Sequence, residues 1–426
     1  MNKLILFALV SLMFWGCQSK YPGVPKSYHI LLDSALTKAG ENAVELQKAM
    51  EEAPENQKEG MAYLISYMPQ RDLTTLSADF LLENSEFAYK AREKYSWCAG
   101  LPDSIFFNEV LPYANISEKR DSWRKDFYER FAKYAEQEDN IVDAIMTIAR
   151  NIKDEVNVEY NTKRSKVDLS PVEAMAENMA TCTGLSILLT DAYRAVGIPS
   201  RLAGTAMWTN YKGNHTWSEV WIDGQWKFIE YYPDTLDQSW FVADAGKADP
   251  DNMLHWIYAV SYKPTGLPYY AAVDGPYIAH VIDINTLPER IQQRYKRMKE
   301  RAPKKEPYVW GHNVTERYIN LYKESIKNST LAKDELMANV VVFADSNTSK
   351  SESRLSCRVD VFKEDKSINF GYSPRKTDDM NQFLKFKLKK DTEYKFVVTK
   401  PENDINKEFL INTGSGATKD IQLVVN

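Results

Sequence analysis

The chain has 426 residues, of which 44% are apolar and 27% are charged, and this balance is typical of globular proteins with two or three domains. Its 54 basic and 59 acidic side chains give a formal charge of −5, which argues against a nucleic-acid partner. After the first residues, no apolar stretch approaches the roughly 20 residues that a membrane-spanning helix needs.

The first 17 residues have the pattern of a secretory signal. Lys3 precedes a mainly apolar stretch at 4–15, which is too short for a stable span and suits a signal-peptide core. The following Gly16-Cys17 resembles a bacterial lipobox, in which the signal is cleaved before the cysteine and the cysteine is lipidated. We expect a lipid on Cys17 to anchor the mature protein to a bacterial membrane outside the cytoplasm. The sequence does not decide between the periplasmic and the surface side. Ordinary secretion with cleavage nearby is the alternative.

Residues 18–137 are predicted to form a helical region. A stretch within it, 96–102, is predicted to be a loop. Helical patterns occur here and just beyond, at 43–52, 74–94, 120–134 and 141–152. The last of these is expected to lead into the next domain.

Cys182 opens a further predicted helix. Apolar residues continue at helical spacing from Leu185 to Val196, and Gly197 followed by Pro199 is a helix stop signal. A cysteine in the first turn lies beside free backbone N–H groups and the positive end of the helix dipole, which favour thiolate over thiol. The position indicates a nucleophile, although a lone cysteine at a helix start is more often a small buried residue.

His215 begins the first strand of a predicted β-hairpin. The alternating segment 215–222 is followed by Asp223-Gly224, a strong signal for a two-residue turn, and then by the apolar run 226–230. A histidine at the start of such a strand can act as the base for a nucleophile brought close by the fold.

The pairing register of this hairpin determines which carboxylate reaches His215. If Ile222 pairs with Gln225, Glu230 is diagonal to His215 on the same face of the sheet. Diagonal neighbours have Cα atoms roughly 7–8 Å apart, so a long carboxylate side chain can hold the imidazole tautomer. Asp234 is the alternative acid, because a four-residue turn would place it opposite His215. We favour Glu230, since the proline before Asp234 tends to end a central strand.

Three blocks within 170–244 resemble the transglutaminase-like superfamily, whose fold is that of papain-like cysteine enzymes. They are a nucleophile block at 182–184, a helix exit at 193–201 similar to R-A-x-G-I-P-A-R, and a histidine block at 215–221 similar to H-A-W-x-E-V. The chain departs from the family pattern at the acid, because it has Glu230 where the family usually has Asp. The resemblance implies a papain-like core with Cys182 and His215 as nucleophile and base.

The chain is therefore predicted to be an α+β protein with a transglutaminase-like core between a helical region and a C-terminal β-sandwich. The core is assigned to 138–285, a basic helical connector to 286–335 and the sandwich to 336–426. Short alternating runs separated by Asn, Asp, Gly and Ser clusters are typical of a sandwich. Its strands are expected at 339–343, 354–362, 383–388, 393–398, 408–411 and 421–425.

These patterns predict a cysteine enzyme that acts on amide bonds of peptides or proteins at the cell envelope, through a thioester on Cys182. Backbone N–H groups at the helix start are the expected oxyanion donors. Water as acceptor would make it a hydrolase and an amine would make it an acyltransferase, and the residues do not decide between them. The alternative is a catalytically inactive papain-like lipoprotein that binds a peptide or glycan. The oligomeric state stays open.

The remaining cysteines, Cys98 and Cys357, are expected to be buried thiols. With Cys182 they make an odd number in an oxidising compartment. A bridge between Cys98 and Cys357 is the weaker alternative, because they lie in different predicted domains. The chain has no C-x-x-C or H-E-x-x-H pattern, so we predict neither a metal site nor a cofactor.

Overall fold

The computed structural model describes residues 19–233, 235–271, 278–301, 309–329, 331–345, 353–376, 383–400 and 403–426. The predicted signal segment with Cys17 and the alternative acid Asp234 lie outside the described residues. The described chain combines helices with several sheets, which confirms the predicted α+β class. No helix in this part of the chain has the length and apolar character needed to cross a membrane.

Most helices precede the central strands. The described α-helices are α1 His29–Ala39, α2 Ala43–Glu52, α3 Lys58–Tyr67, α4 Gln70–Leu73, α5 Ala78–Lys94, α6 Ser96–Ala99, α7 Asp103–Glu109, α8 Trp123–Ala135, α9 Ile141–Val156, α10 Pro171–Glu177, α11 Cys182–Ala195, α12 Val242–Ala245, α13 Glu289–Arg301 and α14 Thr315–Ser329. The predicted loop at 96–102 thus contains a short helix, α6.

The strands begin in the central region and continue through the last third of the chain. The described strands are β1 Glu159–Tyr160, β2 Met179–Ala180, β3 Ser200–Thr205, β4 His215–Ile222, β5 Gln225–Ile229, β6 Ile257–Ser261, β7 Trp310–Asn313, β8 Glu335–Phe343, β9 Arg358–Lys363, β10 Lys366–Tyr372, β11 Leu384–Lys389, β12 Glu393–Lys400, β13 Ile405–Asn412 and β14 Thr418–Val424.

Helices α1 to α8 share one hydrophobic core with α9 and α11. Two buried arginines join these elements. Arg124 of α8 donates to the carbonyl oxygens of Val110 at 2.8 Å and of Pro112 at 2.7 Å, and Arg194 of α11 donates to that of Ala114 at 3.1 Å. A guanidinium can stay buried when its N–H groups find acceptors in this way. The core therefore continues across the domain boundary that was predicted at 137.

Among the described residues, the central sheet has five strands in the order β5-β4-β3-β6-β7, and adjacent strands are antiparallel. Ile222 of β4 pairs with Gln225 of β5, which confirms the predicted register. The turn residues Asp223 and Gly224 have φ of 48° and 82°. Positive φ at both positions matches the right-handed twist of the flanking strands.

Helix α11 packs across this sheet and is buried from Thr183 to Ala195. The Ser186 hydroxyl donates to the Thr216 carbonyl of β4 at 3.0 Å. The helix ends as predicted, where Gly197 adopts φ 72°. A side chain at this glycine would also meet Cys98, whose Sγ would lie 2.9 Å from an added Cβ.

The segment 286–335, predicted as a helical connector, contributes to the core as well as linking it to the sandwich. Its helices α13 and α14 were expected, but β7 was not. This strand pairs with β6 and extends the central sheet. Its sequence, Trp-Gly-His-Asn, lacks the apolar alternation that predicts a strand. The connector prediction is therefore wrong in this respect.

The C-terminal region is a β-sandwich, as predicted. One sheet has the order β10-β9-β12-β13 and the other β11-β8-β14, and apolar side chains of both form one core. Strand β14 runs parallel to β8, whereas the other described strand pairs of the sandwich are antiparallel. The prediction missed β10, because its turn is made by Glu364 and Asp365 at φ 51° and 58°, without a glycine or asparagine signal.

Cys98 and Cys357 are buried, with 0% and 1% of their surface exposed. No disulfide joins them or any other described cysteine. Cys98 packs among the helices and Cys357 belongs to the sandwich core, so the predicted burial of both side chains is confirmed.

Candidate active site

Cys182 is the first residue of α11, and its surroundings position the thiol. The preceding Thr181 is extended, at φ −98° and ψ −178°, and its carbonyl accepts the bond from the Leu185 N–H at 2.9 Å. The thiol sulfur is hydrogen-bonded by the backbone of Thr216 and the side chain of Thr183. These donors and the helix dipole both favour a negative charge on sulfur.

His215 is the first residue of β4, which places its side chain beside the start of α11. The imidazole is hydrogen-bonded to Cys182. Its Nε2 atom lies 2.6 Å from Oε1 of Glu230. Because the carboxylate engages Nε2, Nδ1 is the nitrogen that remains for the thiol.

Glu230 directly follows β5, and both of its oxygens have partners. Oε1 contacts His215, and Oε2 accepts a hydrogen bond from the hydroxyl of Ser239. The side chain is 15% exposed. The structure therefore brings Cys182, His215 and Glu230 together in one hydrogen-bonded row, while Asp234 lies outside the described residues.

The charges of this row favour an ion pair between cysteine and histidine. Burial opposes the ionisation of Cys182 most strongly, but the hydrogen bond and charge of His215 outweigh it and lower the pKa of Cys182 from its ordinary 9.0. Burial also opposes a charged His215, yet its bonds to Cys182 and Glu230 raise the pKa of His215 from 6.5 to about 9. The lowered pKa of Cys182 and the raised pKa of His215 both favour a thiolate–imidazolium pair over the neutral pair.

Aromatic rings surround the imidazole. Trp217 and Phe241, both 0% exposed, have ring centroids 5.7 Å and 5.1 Å from that of His215. Trp240 approaches to 4.9 Å but is 65% exposed. Most of the aromatic residues near the hairpin are thus core, and Trp240 presents a ring to solvent beside the site.

A buried ionic network supports the sheet under the histidine. Glu219 of β4 is 0% exposed and accepts from Arg201 at 2.9 Å and from the Tyr318 hydroxyl at 2.7 Å. Arg317 also forms an ion pair with it. The Trp217 indole donates to the same Tyr318 hydroxyl. The tryptophan that packs on His215 is therefore held by hydrogen bonding as well as by packing.

Sequence reasoning missed three residues of the site. Thr216 follows His215 in the chain and gave no separate signal, and Ser239 belongs to no motif. Tyr269 is fully buried, and burial followed by the charge of Cys182 raises the pKa of its hydroxyl. That hydroxyl has no hydrogen-bond partner among the described residues. The hydroxyl oxygen would lie 3.2 Å from a Cβ atom added to Gly204.

The described residues hold no group of three or more His, Cys, Asp or Glu side chains placed to bind a metal ion. The side chains of Cys182, His215 and Glu230 are directed at one another. This arrangement suits proton transfer and nucleophilic attack by the protein's own groups.

Residues 129–244 match the family model of the transglutaminase-like superfamily. The matched stretch runs from α8 to α12 and contains Cys182, His215 and Glu230. This part of the chain is therefore a transglutaminase-like core, and the predicted resemblance is confirmed. Comparison with curated proteins gives no match.

Two solved structures resemble part of the chain. One, from Cytophaga hutchinsonii and provisionally named a cysteine protease, is 23% identical with a TM-score of 0.25, and the match covers 32% of this chain and 44% of that one. The other, named a TGase, is 13% identical with a TM-score of 0.22, and the match covers 25% and 31%. This chain thus spans less than half the length of either. The superfamily assignment rests on the family match.

Proposed function

We propose that the protein is a cysteine enzyme that attacks amide bonds in peptides or proteins through a thioester on Cys182. The observation that supports this is the row of hydrogen bonds from Cys182 through His215 to Glu230, together with the lowered pKa of Cys182. Such a row favours the thiolate over the thiol, and the thiolate is the species that attacks a carbonyl carbon.

In the first half of the reaction, Sγ of Cys182 forms a bond to the carbonyl carbon. The carbonyl oxygen becomes an oxyanion, and backbone N–H groups at the start of α11 are its proposed hydrogen-bond donors. As the carbon–nitrogen bond breaks, His215 gives its proton to the leaving amine or ammonia. Glu230 keeps the imidazole oriented and stabilises its charge.

In the second half, an acceptor resolves the thioester. His215 takes a proton from the acceptor as it attacks, and Cys182 leaves as a thiolate beside the protonated His215 when the carbon–sulfur bond breaks, which restores the starting pair. With water as acceptor the product is an acid, and with a primary amine it is a new amide. Both reactions use the same three side chains.

We also propose that the protein acts at the cell envelope, anchored through a lipid on Cys17. Lys3, the apolar stretch 4–15 and Gly16-Cys17 support this. The test is metabolic labelling with a fatty-acid analogue in bacterial cells. The wild-type chain should take up the label and Cys17→Ala should not, and equal labelling of both would contradict the anchor.

The activity is tested with a defined mixture of glutamine-containing peptides, incubated with the chain that starts after Cys17. Mass spectrometry reports ammonia loss, new termini or, with an added primary amine, a new amide. We expect one of these products with the wild type and none with Cys182→Ala. Peptide binding without any product would overturn the enzymatic proposal and favour a binding protein.

A further inference from the structure

A cavity of about 690 Å³ lies between the core and the β-sandwich, on the Glu230 side of the site. Glu230, Ser239 and Trp240 line it from the core, and Tyr372 and Arg375 line it from the sandwich. The cavity therefore belongs to both domains, and it adjoins the acid that orients His215.

Polar contacts hold the sandwich against α9 and so maintain this cavity. Arg358 of β9 forms an ion pair with Asp143 at the start of α9. Arg375 donates to the carbonyl oxygen of Arg150 at 3.1 Å. The guanidinium of Arg150 lies over the ring of Tyr372. The cavity is thus bounded by two docked domains.

The described wall of the cavity is positively charged. Arg150 and Lys153 line it from α9, and Arg375 and Lys385 line it from the sandwich, while Glu230 is the carboxylate among the described lining residues. That carboxylate is already engaged by the site, as described above. Several cations in one cavity wall attract an anionic group and suppress binding of a cationic one.

The hydroxyl of Tyr232, which also lines the cavity, is close enough to two of these cations for their charges to affect its pKa. Burial raises the pKa of this hydroxyl, and so does the charge of Glu159, whereas a hydrogen bond from the Tyr160 backbone and the charges of Lys153 and Arg375 act to lower it. Lys153 also forms an ion pair with the exposed Glu159 at 2.7 Å. Cations from both domains therefore converge on this part of the cavity.

Trp240 connects the cavity with the nucleophile. Its exposed ring lines the cavity and also contacts His215. The row from Cys182 to Glu230 consists of two hydrogen bonds and one imidazole ring, which together are roughly 8 Å long. An extended peptide rises roughly 3.3 Å per residue. A peptide acylated at Cys182 and lying over Trp240 would thus place a side chain in the cavity about three residues from the attacked amide.

We propose that this cavity is a subsite for a substrate carboxylate, so that the enzyme prefers acidic peptides with the carboxylate about three residues from the attacked amide. This rests on the function proposed above. An aspartate or glutamate side chain and a free C-terminal carboxylate offer the same chemistry. The β-sandwich is then part of the substrate site.

The test measures binding to the full mature chain carrying Cys182→Ala, which removes turnover from the measurement. The probes are fluorescein-labelled peptides with a central glutamine. In each pair of peptides, one has Glu and the other has Gln at the same position, which is three residues before or three residues after the central glutamine. Two further peptides end three residues after the glutamine with a free or an amidated C-terminus. Anisotropy should show at least tenfold tighter binding of one carboxylate-bearing peptide than of its neutral partner, with the difference reduced by salt.

Variants locate the preference in the cavity. Lys385 is exposed, so Lys385→Glu reverses a wall charge without removing the described contacts that dock the sandwich. It should reduce the acidic preference at least fivefold, and Arg375→Ala should reduce it similarly. Lys366→Glu changes an exposed lysine of β10 that does not line the cavity and should leave the preference unchanged. Equal binding of the acidic and neutral peptides, or an unchanged preference in Lys385→Glu, would overturn the proposal.

The subsite and the proposed function can fail separately. Alkylation of Cys182 in the wild-type chain reports the nucleophile without any peptide. A reactive thiolate with no acidic preference would reject the subsite and leave the enzyme proposal standing. A clear acidic preference with an inert Cys182 would reject the enzyme proposal and leave an anionic-peptide binding site.

Discussion

The Nε2 atom of His215 lies 2.6 Å from Oε1 of Glu230, although His215 begins β4 and Glu230 follows the end of β5. This contact sets the imidazole tautomer, because it leaves Nδ1 directed at Cys182. The second oxygen of Glu230 accepts a hydrogen bond from Ser239, so both oxygens of the carboxylate are held in place. A glutamate here can therefore perform the orienting role that the family usually gives to an aspartate.

Replacing Glu230 with glutamine should slow amide turnover by roughly 100-fold or more. The change keeps the side-chain shape but removes the charge that helps to raise the pKa of His215 to about 9. The pKa of His215 should therefore fall, and that of Cys182 should rise as the imidazolium is lost. Steady-state turnover measures the effect. Glu129→Gln, at an exposed position of α8, is the matched control, and equal turnover in both variants would contradict the assigned role.

Gly184→Ala should displace the start of α11 and weaken the site. A Cβ on Gly184 would lie 2.9 Å from the Cβ of Ala180. Overpacking costs about 1–3 kcal/mol, which outweighs the gain of about 1 kcal/mol from replacing a helical glycine. We expect a lower free energy of unfolding in urea and slower alkylation of Cys182. Gly100→Ala meets nothing within 4 Å and should match the wild type within about 0.5 kcal/mol.

Glu219→Ala should destabilise the fold by about 3–5 kcal/mol. The substitution leaves Arg201, which is 5% exposed, without the carboxylate that it contacts at 2.9 Å. It also removes the acceptor of the Tyr318 hydroxyl. Urea unfolding measures the loss. The exposed Glu316→Ala should change stability by less than about 0.5 kcal/mol, and a similar small effect for Glu219→Ala would show that the network contributes little.

Tyr269→Phe should raise the free energy of unfolding by about 1 kcal/mol. The hydroxyl is buried and has no partner among the described residues, so its removal relieves a desolvation cost without breaking a hydrogen bond. Tyr258→Phe is the comparison, because that hydroxyl donates to the Met253 carbonyl at 2.7 Å and its removal should cost about 1 kcal/mol. Destabilisation by both changes to the same extent would indicate that Tyr269 has an acceptor.

The parts of the fold that depend on local patterns were predictable. The turn at Asp223-Gly224 determines the hairpin register, and Gly197 ends α11, because each conformation favours particular residues locally. The placement of His215 against Glu230 follows from that register. Local sequence patterns were therefore sufficient to predict Cys182, His215 and Glu230 as neighbours, provided that α11 packs against the sheet.

Features that depend on distant contacts were not predictable in the same way. Strand β7 has no alternating pattern and is specified by its pairing with β6. Ser239 contacts Glu230 because the chain folds back after β5, and no motif marks it. The cavity between α9 and the sandwich arises from the docking of two domains. In the sequence alone, nothing distinguishes the lysines and arginines of this cavity from ordinary surface residues.

The most direct experiment is the pH dependence of Cys182 alkylation by iodoacetamide, in the chain lacking Cys17. Burial raises the pKa of Cys98 to about 12, and Cys357 is 1% exposed, so the signal reports Cys182. Because the pKa of Cys182 is lowered, the inflection should lie below 9.0 in the wild type and move upward in His215→Ala. A cysteine that stays inert, or that titrates identically in both proteins, would contradict a thiolate–imidazolium pair.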